Sequence, residues 1–239
     1  MSATAFDTLP APYPRGLALA TLAAAVAAIA GALLAAADPG QGWRWLHWCA
    51  KPLATALIFV LAWRARPAVS PRYRRLVLAG IACSLAGDVF LMLPGDRFVP
   101  GLLAFLLAHG CFIAAFLGDS RFAAPAWPLA ACLAYGAANL ALLWGAIDAP
   151  LRLPVIVYVA VLATMGGQAW ARARHGDAAA RLAARGALVF MLSDSLLAWD
   201  RFRGPLPLAS LGVLAAYYLA LWRIARSVQH AGTANGAGQ

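Results

Sequence analysis

Four ionisable side chains interrupt long apolar runs, and they are the strongest candidates for chemistry in this sequence. They are Lys51, Asp88, His109 and Asp194. An Asp or Lys near the centre of a bilayer costs about 2.5–3.5 kcal/mol on insertion scales, so such residues face the interior of a helix bundle and often mark a function. Carboxyl, imidazole and ammonium groups in this setting are typical of acid–base chemistry or of a proton relay.

The four groups are expected to lie at a similar depth. At a rise of about 1.5 Å per residue, Asp88 and Asp194 lie about 8 Å from the predicted outer ends of their helices, and His109 about 12 Å. Lys51 is five residues into its helix from the same side. We therefore predict one polar layer in the outer half of the membrane. Weaker polar candidates within the apolar segments are Asn139, Tyr158, Gln168, Tyr217 and Tyr218, of which Gln168 is expected on the inner side.

The composition defines the class of protein that must position these groups. Of 239 residues, 63% are hydrophobic and only 12% are charged. An ordinary soluble domain is about 45–50% apolar and about 25% charged. The composition excludes a disordered chain, a basic nucleic-acid-binding domain and an ordinary cytosolic enzyme. It predicts an all-α, polytopic transmembrane bundle without a nucleic-acid partner.

Eight apolar segments approach the length of about 20 residues that a spanning helix needs. We divide the chain into an N-terminal cytoplasmic segment (1–16), an eight-helix transmembrane domain (17–226) and a disordered cytoplasmic tail (227–239). The seventh segment is short, and the second contains Lys51-Pro52, so these two are weaker. The predicted spans are 17–37, 46–63, 76–93, 101–117, 127–147, 153–171, 186–199 and 206–224.

The arginines predict the orientation of this bundle. With eight spans, thirteen of the eighteen arginines fall on the side that holds both termini. Positive-inside bias then places both termini in the cytoplasm, with the protein in the inner cell membrane. Residues 35–37 loosely resemble a signal-peptidase site, but the preceding apolar run is longer than a secretory one, so we expect a retained helix.

Several short motifs follow one another along the predicted spans. They are Lys51-Pro52-Leu53, residues 84–92 with Gly87-Asp88 at their centre, the stretch from Phe105 to His109, residues 190–195 with Ser193-Asp194, Asp200-Arg201-Phe202 and Tyr217-Tyr218. These motifs resemble the YhhN-like family, which includes the lysoplasmalogenases. The likeness covers nearly the whole chain, and it is the order of the motifs across eight spans that makes it specific.

The resemblance implies an integral-membrane hydrolase that cleaves the vinyl ether bond of lysoplasmalogen into a fatty aldehyde and a glycerophospho-base. Vinyl ether hydrolysis needs an acid that protonates carbon and a second group that stabilises the cation or activates water, a division of labour that glycosidases make between two carboxyls. We predict Asp88, Asp194 and His109 as catalytic residues, without deciding which Asp is the acid. The predicted substrate-binding residues are Lys51, Tyr158, Tyr217, Asp200, Arg201 and Asn139.

Two other function classes remain open at this stage. A proton-coupled transporter of a small or lipid-like substrate uses the same residue types within the membrane. An intramembrane aspartyl protease also needs two Asp residues on separate helices, but its flanking signatures are not evident here. A lone His beside Asp residues is a poor zinc site, so we predict neither a metal nor a cofactor; the expected partner is a lysophospholipid within the bilayer.

Overall fold

The computed structural model describes residues 15–229, which form eight long helices and, within that range, no strand. The all-α prediction is therefore confirmed, with one helix for each predicted span. A single 3-10 turn, Trp144–Ala146, follows the fifth helix. The helices are α1 (Arg15–Ala37), α2 (Trp43–Arg64), α3 (Pro71–Met92), α4 (Phe98–Phe116), α5 (Trp127–Leu143), α6 (Ala149–His175), α7 (Ala178–Arg203) and α8 (Ala209–Arg226).

Seven of these helices, α1 to α7, are long and apolar enough to cross a membrane. The helix α8 does not meet both conditions, yet it packs within the bundle against α7, α1 and α2. The crossing of α8 and the cytoplasmic placement of both termini stay predictions. The predicted N-terminal segment, 1–16, lies outside the described residues except for the first two residues of α1.

The two weak spans of the sequence are continuous helices. Pro52 lies inside α2 without ending it. The helix α7 begins eight residues before the apolar segment that predicted it, because its first two turns carry arginines that lower the local hydropathy without breaking the helix. The carboxylate of Asp177 accepts a hydrogen bond of 2.9 Å from the amide of Ala180, and this cap fixes where α7 starts.

Consecutive helices pair as hairpins: α1 with α2, α3 with α4, α5 with α6, and α7 with α8. The helix α6 also packs against α4 and α7. Glycines permit the close approach of α3 and α4, since a Cβ at Gly87 would lie 2.6 Å from the ring of Phe105. This contact seats the ring of Phe105 on α3, where it also meets the Tyr217 ring of α8.

The chain is ordered beyond the predicted start of its tail. Ser227, Val228 and Gln229 are buried, so the prediction of disorder from residue 227 is wrong for these three residues. The amide of Val69 donates to the Val228 carbonyl at 2.9 Å, and the hydroxyls of Tyr73 and Ser227 are 2.8 Å apart. These backbone and side-chain bonds fasten the end of α8 to the segment before α3 and to the first turn of α3. Residues 230–239 lie outside the described part of the chain.

Candidate active site

Four residues of three helices form what we call the Asp88 cluster: Lys51, Thr55, Asp88 and Tyr217. The hydroxyls of Tyr217 and Thr55 donate to the same Asp88 oxygen at 2.6 and 2.7 Å. The ammonium of Lys51 lies 3.4 Å from the other oxygen. Only 1% of the Asp88 side chain is exposed, so these partners take the place of water around a carboxylate that burial would otherwise destabilise.

The local sequence explains how α2 presents two of these groups together. Lys51 and Thr55 are four residues apart, so they share one face of the helix. Both are buried, and this face points towards α3 and α8. The spacing was visible in the sequence, but Thr55 was missed because a threonine in an apolar helix usually bonds its own backbone.

A second group, the Asp194 cluster, consists of His109, Tyr158 and Asp194 from α4, α6 and α7. The Tyr158 hydroxyl donates to Oδ2 of Asp194 and lies 3.0 Å from Nε2 of His109. The same His109 nitrogen is 3.5 Å from the Asp194 oxygen. His109 is fully buried, and among the described residues its Nδ1 atom has no hydrogen-bond partner.

Aromatic rings separate the two clusters. Phe190 meets the His109 ring edge-on at 4.9 Å and the Tyr217 ring at 5.6 Å, so it touches a member of each cluster. Phe105 contacts both Phe190 and Tyr217. Within residues 15–229, no hydrogen bond joins the two carboxyls. The two carboxyls thus lie in neighbouring but distinct environments. Their hydrogen bonds give no support to a proton shared directly between them.

A narrow apolar pocket with a cavity volume of about 80 Å³ lies beside the Asp194 cluster. Helices α4, α5, α6 and α7 supply most of its lining, which is aliphatic and aromatic. The Asp194 side chain is 11% exposed, and its carboxylate forms part of this wall. Tyr158 lies beside Asp194 in the same wall. The other polar members of the lining are Tyr135, Asn139 and Ser195. The lining therefore combines an apolar surface, suited to contact with hydrocarbon, with one carboxylate as the reactive group.

A polar vestibule adjoins the apolar pocket. Its cavity volume is about 620 Å³, and it shares Leu91, Phe98 and Leu197 with the pocket lining. Basic and acidic groups line it, among them Lys51 of the Asp88 cluster. Neither cavity is lined by Asp88. The remaining charged or imidazole-bearing residues of the vestibule are His47, Asp96, Arg97, Asp200 and Arg201.

An ion pair lies at the rim where vestibule and pocket meet. The guanidinium of Arg201 donates to Asp96 at 2.6 Å and lies 5.1 Å from the ring centre of Phe98. Phe98 in turn packs edge-on against Phe202. Hydrogen bonds from the Phe98 amide and then from Arg201 hold the pKa of Asp96 below its ordinary value. Arg201, a predicted substrate-binding residue, therefore lines the vestibule with a carboxylate already bound to it.

Two of the three remaining predicted substrate-binding residues, Asp200 and Asn139, line these cavities. The Asp200 carboxylate accepts from the amide of Leu206 at 2.8 Å and so fixes the loop between α7 and α8. Asn139 accepts from the indole of Trp199 at 2.9 Å on the pocket side. Tyr217 belongs to the Asp88 cluster, away from both cavities. Asp200 and Asn139 line a cavity, but their bonds hold the protein's own structure.

Two pocket residues were missed by the sequence. The Tyr135 hydroxyl donates to Ser195 at 2.9 Å, across the pocket wall from α5 to α7. Ser195 follows Asp194 directly, which was a usable signal, but nothing in the sequence pairs it with Tyr135. No group of three His, Cys, Asp or Glu side chains able to hold a metal ion occurs in the described part of the chain.

Comparison with known proteins places this arrangement in a family. The model of the YhhN family matches residues 46–228, which include both clusters. The human protein named lysoplasmalogenase TMEM86B is 36% identical over 73% of this chain and 73% of its own length. The pig protein of the same name is 34% identical over 74% of this chain and 72% of its own.

A bacterial relative extends the comparison. The Escherichia coli O157:H7 protein named uncharacterized membrane protein YhhN is 32% identical over 54% of this chain and 62% of its own length. No solved structure matches this chain. With a family match over most of its length and seven helices able to span a membrane, this multi-pass membrane protein belongs to the YhhN family.

Proposed function

We propose that this protein is an integral-membrane hydrolase that cleaves the vinyl ether bond of lysoplasmalogen, releasing a fatty aldehyde and a glycerophospho-base. The observation that carries the proposal is the position of Asp194. Its carboxyl lies in the wall of an apolar pocket that shares three lining residues with a polar vestibule. The names of the human and pig relatives support the same substrate class.

The two cavities fit the two ends of such a lipid. The hydrocarbon chain occupies the apolar pocket, and the phosphate lies in the vestibule near Lys51 and Arg201. The vinyl ether, which joins the chain to the glycerol, then lies near the shared wall of Leu91, Phe98 and Leu197. In this placement the Asp194 carboxyl is within the pocket and the phosphate-binding cations are outside it.

The chemistry follows from this placement. Protonated Asp194 gives its proton to the vinyl carbon that lies second from the ether oxygen, and the adjacent carbon becomes an oxocarbenium ion. Water adds to that carbon and loses a proton, and the resulting hemiacetal collapses to aldehyde and alcohol. A carboxyl in an apolar wall suits the first step, in the part that the general acid has in glycosidases.

Asp88 has a different part in this proposal. It is almost fully buried and bonded to three side chains, so it holds Lys51 at the edge of the vestibule rather than meeting the lipid. The Asp pair thus divides the labour: Asp194 reacts, and Asp88 positions the cation that binds phosphate. We also propose the inner cell membrane as the location, with Asp194 in its outer half.

A comparison of two lipids tests the reaction. Purified protein in detergent is offered a lysoplasmalogen and, separately, the saturated alkyl-ether lysolipid of the same length and headgroup, and aldehyde release is measured. We expect aldehyde from the vinyl ether alone, because the saturated ether has no carbon that an acid can protonate. Absence of aldehyde with folded protein would refute the proposal.

The same structure weighs against the transporter alternative. Phe112 and Phe116, one and two turns along α4 from His109, are fully buried. Phe116 contacts Tyr73, which belongs to the polar groups near the opposite end of the bundle. These rings interrupt a polar path from one side to the other. Lipid or proton flux through reconstituted vesicles, without aldehyde release, would favour the transporter.

A further inference from the structure

The Tyr158 hydroxyl occupies the middle of a three-residue chain. It is hydrogen-bonded to Asp194 on one side and lies 3.0 Å from His109 Nε2 on the other. The three side chains come from three helices, and His109 and Tyr158 are both buried. A hydroxyl has one proton to donate and an oxygen that accepts, so it can connect two groups in either direction.

Two arrangements of hydrogens satisfy this chain. In the first, Asp194 is ionised, Tyr158 donates to it, and Nε2–H of His109 donates to Tyr158. In the second, Asp194 is protonated and donates to Tyr158, which donates to a bare Nε2, while Nδ1 of His109 carries the hydrogen. The two differ in the direction of both bonds and in the tautomer of His109.

The far nitrogen of His109 completes the argument. Among the described residues Nδ1 has no hydrogen-bond partner, although it is buried. The first arrangement leaves a lone pair there and the second leaves an N–H, so Nδ1 is the end of the chain at which a proton enters or leaves. Buried polar atoms are nearly always paired, and an unpaired one requires an explanation.

We propose that His109 and Tyr158 form a proton relay that reprotonates Asp194 after each turnover. This inference rests on the proposed function. When Asp194 has given its proton to carbon, His109 first loses its Nδ1 proton to water and gains one on Nε2, which restores the first arrangement. The Tyr158 proton then moves to the carboxylate, the Nε2 proton moves to the Tyr158 oxygen, and Nδ1 takes a proton from water. The chain thus takes up one net proton for the one given to carbon, and the water that adds to the oxocarbenium ion releases one, so each turnover balances.

The residues that pack around the relay connect it to the Asp194 carboxyl and not to Asp88. From α7, Phe190 covers one edge of the His109 ring, and Asp194 is the carboxyl that faces it. From α6, Tyr158 is the facing polar group. Tyr217 of α8, with its partner Asp88 of α3, lies on the other side of Phe190. The relay therefore has one carboxyl at its end.

Histidine tautomers test the relay without any turnover. Protein labelled with nitrogen-15 in histidine, with the His109 signals assigned by a His109→Gln variant, is followed by NMR as Asp194 titrates. We expect the hydrogen of neutral His109 to move from Nε2 to Nδ1 as Asp194 takes up a proton, and we expect Tyr158→Phe to abolish the change. A tautomer that stays the same across the titration of Asp194 would overturn the relay and leave the hydrolase proposal standing.

Kinetics give a second, independent readout. Removing a positioned proton-transfer group typically costs 10²–10⁴-fold in rate. We expect Tyr158→Phe to lower kcat by about 100-fold with little change in KM, and His109→Ala to become dependent on the concentration of imidazole buffer. The matched variant Tyr217→Phe, which removes a hydroxyl from the other cluster, is expected to show no buffer dependence. Buffer-independent rates in His109→Ala would contradict the relay, whereas a wild-type protein without activity would refute the hydrolase instead.

Discussion

The buried ion pair between Lys51 and Asp88 gives a quantitative prediction about stability. The ammonium and the carboxylate oxygen are 3.4 Å apart, with 10% and 1% of their side chains exposed. At an effective dielectric constant of about 20, two unit charges at this distance attract by about 5 kcal/mol. Desolvation of both groups offsets most of that attraction, so the pair adds little net stability.

Breaking the pair is nonetheless expected to be costly, because one charge is left buried without its partner. We predict that Lys51→Met lowers the free energy of unfolding by about 3–5 kcal/mol. The double variant Lys51→Met/Asp88→Asn removes both charges and should cost less than the sum of the two single changes, by about 1–3 kcal/mol. The assay is reversible unfolding in detergent micelles, followed by tryptophan fluorescence.

A matched double variant makes this cycle specific. Asp194 belongs to the other cluster and shares no hydrogen-bond partner with Lys51 among the described residues. Lys51→Met combined with Asp194→Asn should therefore be additive to within about 0.5 kcal/mol. Additive costs for Lys51→Met and Asp88→Asn would refute the reasoning, since they would show that the two charges do not interact.

Three further predictions concern the rim, the pocket and the helix contact behind the site. Because the pKa of Asp96 is lowered, its carboxylate stays ionised, and paired with Arg201, until the pH falls below the ordinary Asp pKa. Asp96 therefore does not titrate between about pH 5 and pH 8, and Asp96→Asn should leave the shape of the pH–rate profile unchanged in that window. A changed shape there would contradict this prediction. Ala198 lines the apolar pocket, and Ala198→Phe should slow hydrolysis of long-chain lipids more than of short-chain ones in a chain-length series; equal slowing would argue against chain binding there. A Cβ at Gly87 would overlap the Phe105 ring, so Gly87→Val should lower the free energy of unfolding by about 1–3 kcal/mol, and an unchanged denaturation midpoint would contradict the packing.

The number of helices was predictable because each is built around an apolar run close to the length of a membrane crossing. Their ends were less so. The first turns of α7 carry Arg181 and Arg185, which reduce hydropathy while favouring helix, and the cap at Asp177 became clear only from its bond to Ala180. Hydropathy detects the part of a helix that lies in lipid, and a helix continues as long as its backbone bonds do.

The site was partly predictable for a similar reason. Lys51, Asp88, His109 and Asp194 stand out because charge is costly in an apolar segment, and that cost is visible residue by residue. Their division into two clusters depends on which helices touch, which the sequence does not contain. Tyr217 was therefore assigned to the substrate although it bonds Asp88.

The measurement that tests the central claim most directly compares two Asp→Asn variants in the aldehyde assay. Asp194 lies in the pocket wall, whereas Asp148 is exposed at the start of α6 and makes no capping hydrogen bond with its side chain. Both variants lose one carboxyl, and both are checked for folding and for lipid binding. We predict that Asp194→Asn still binds lysoplasmalogen but releases aldehyde at least about 100-fold more slowly, while Asp148→Asn matches the wild type. Folded Asp194→Asn protein that releases aldehyde at the wild-type rate would contradict the account.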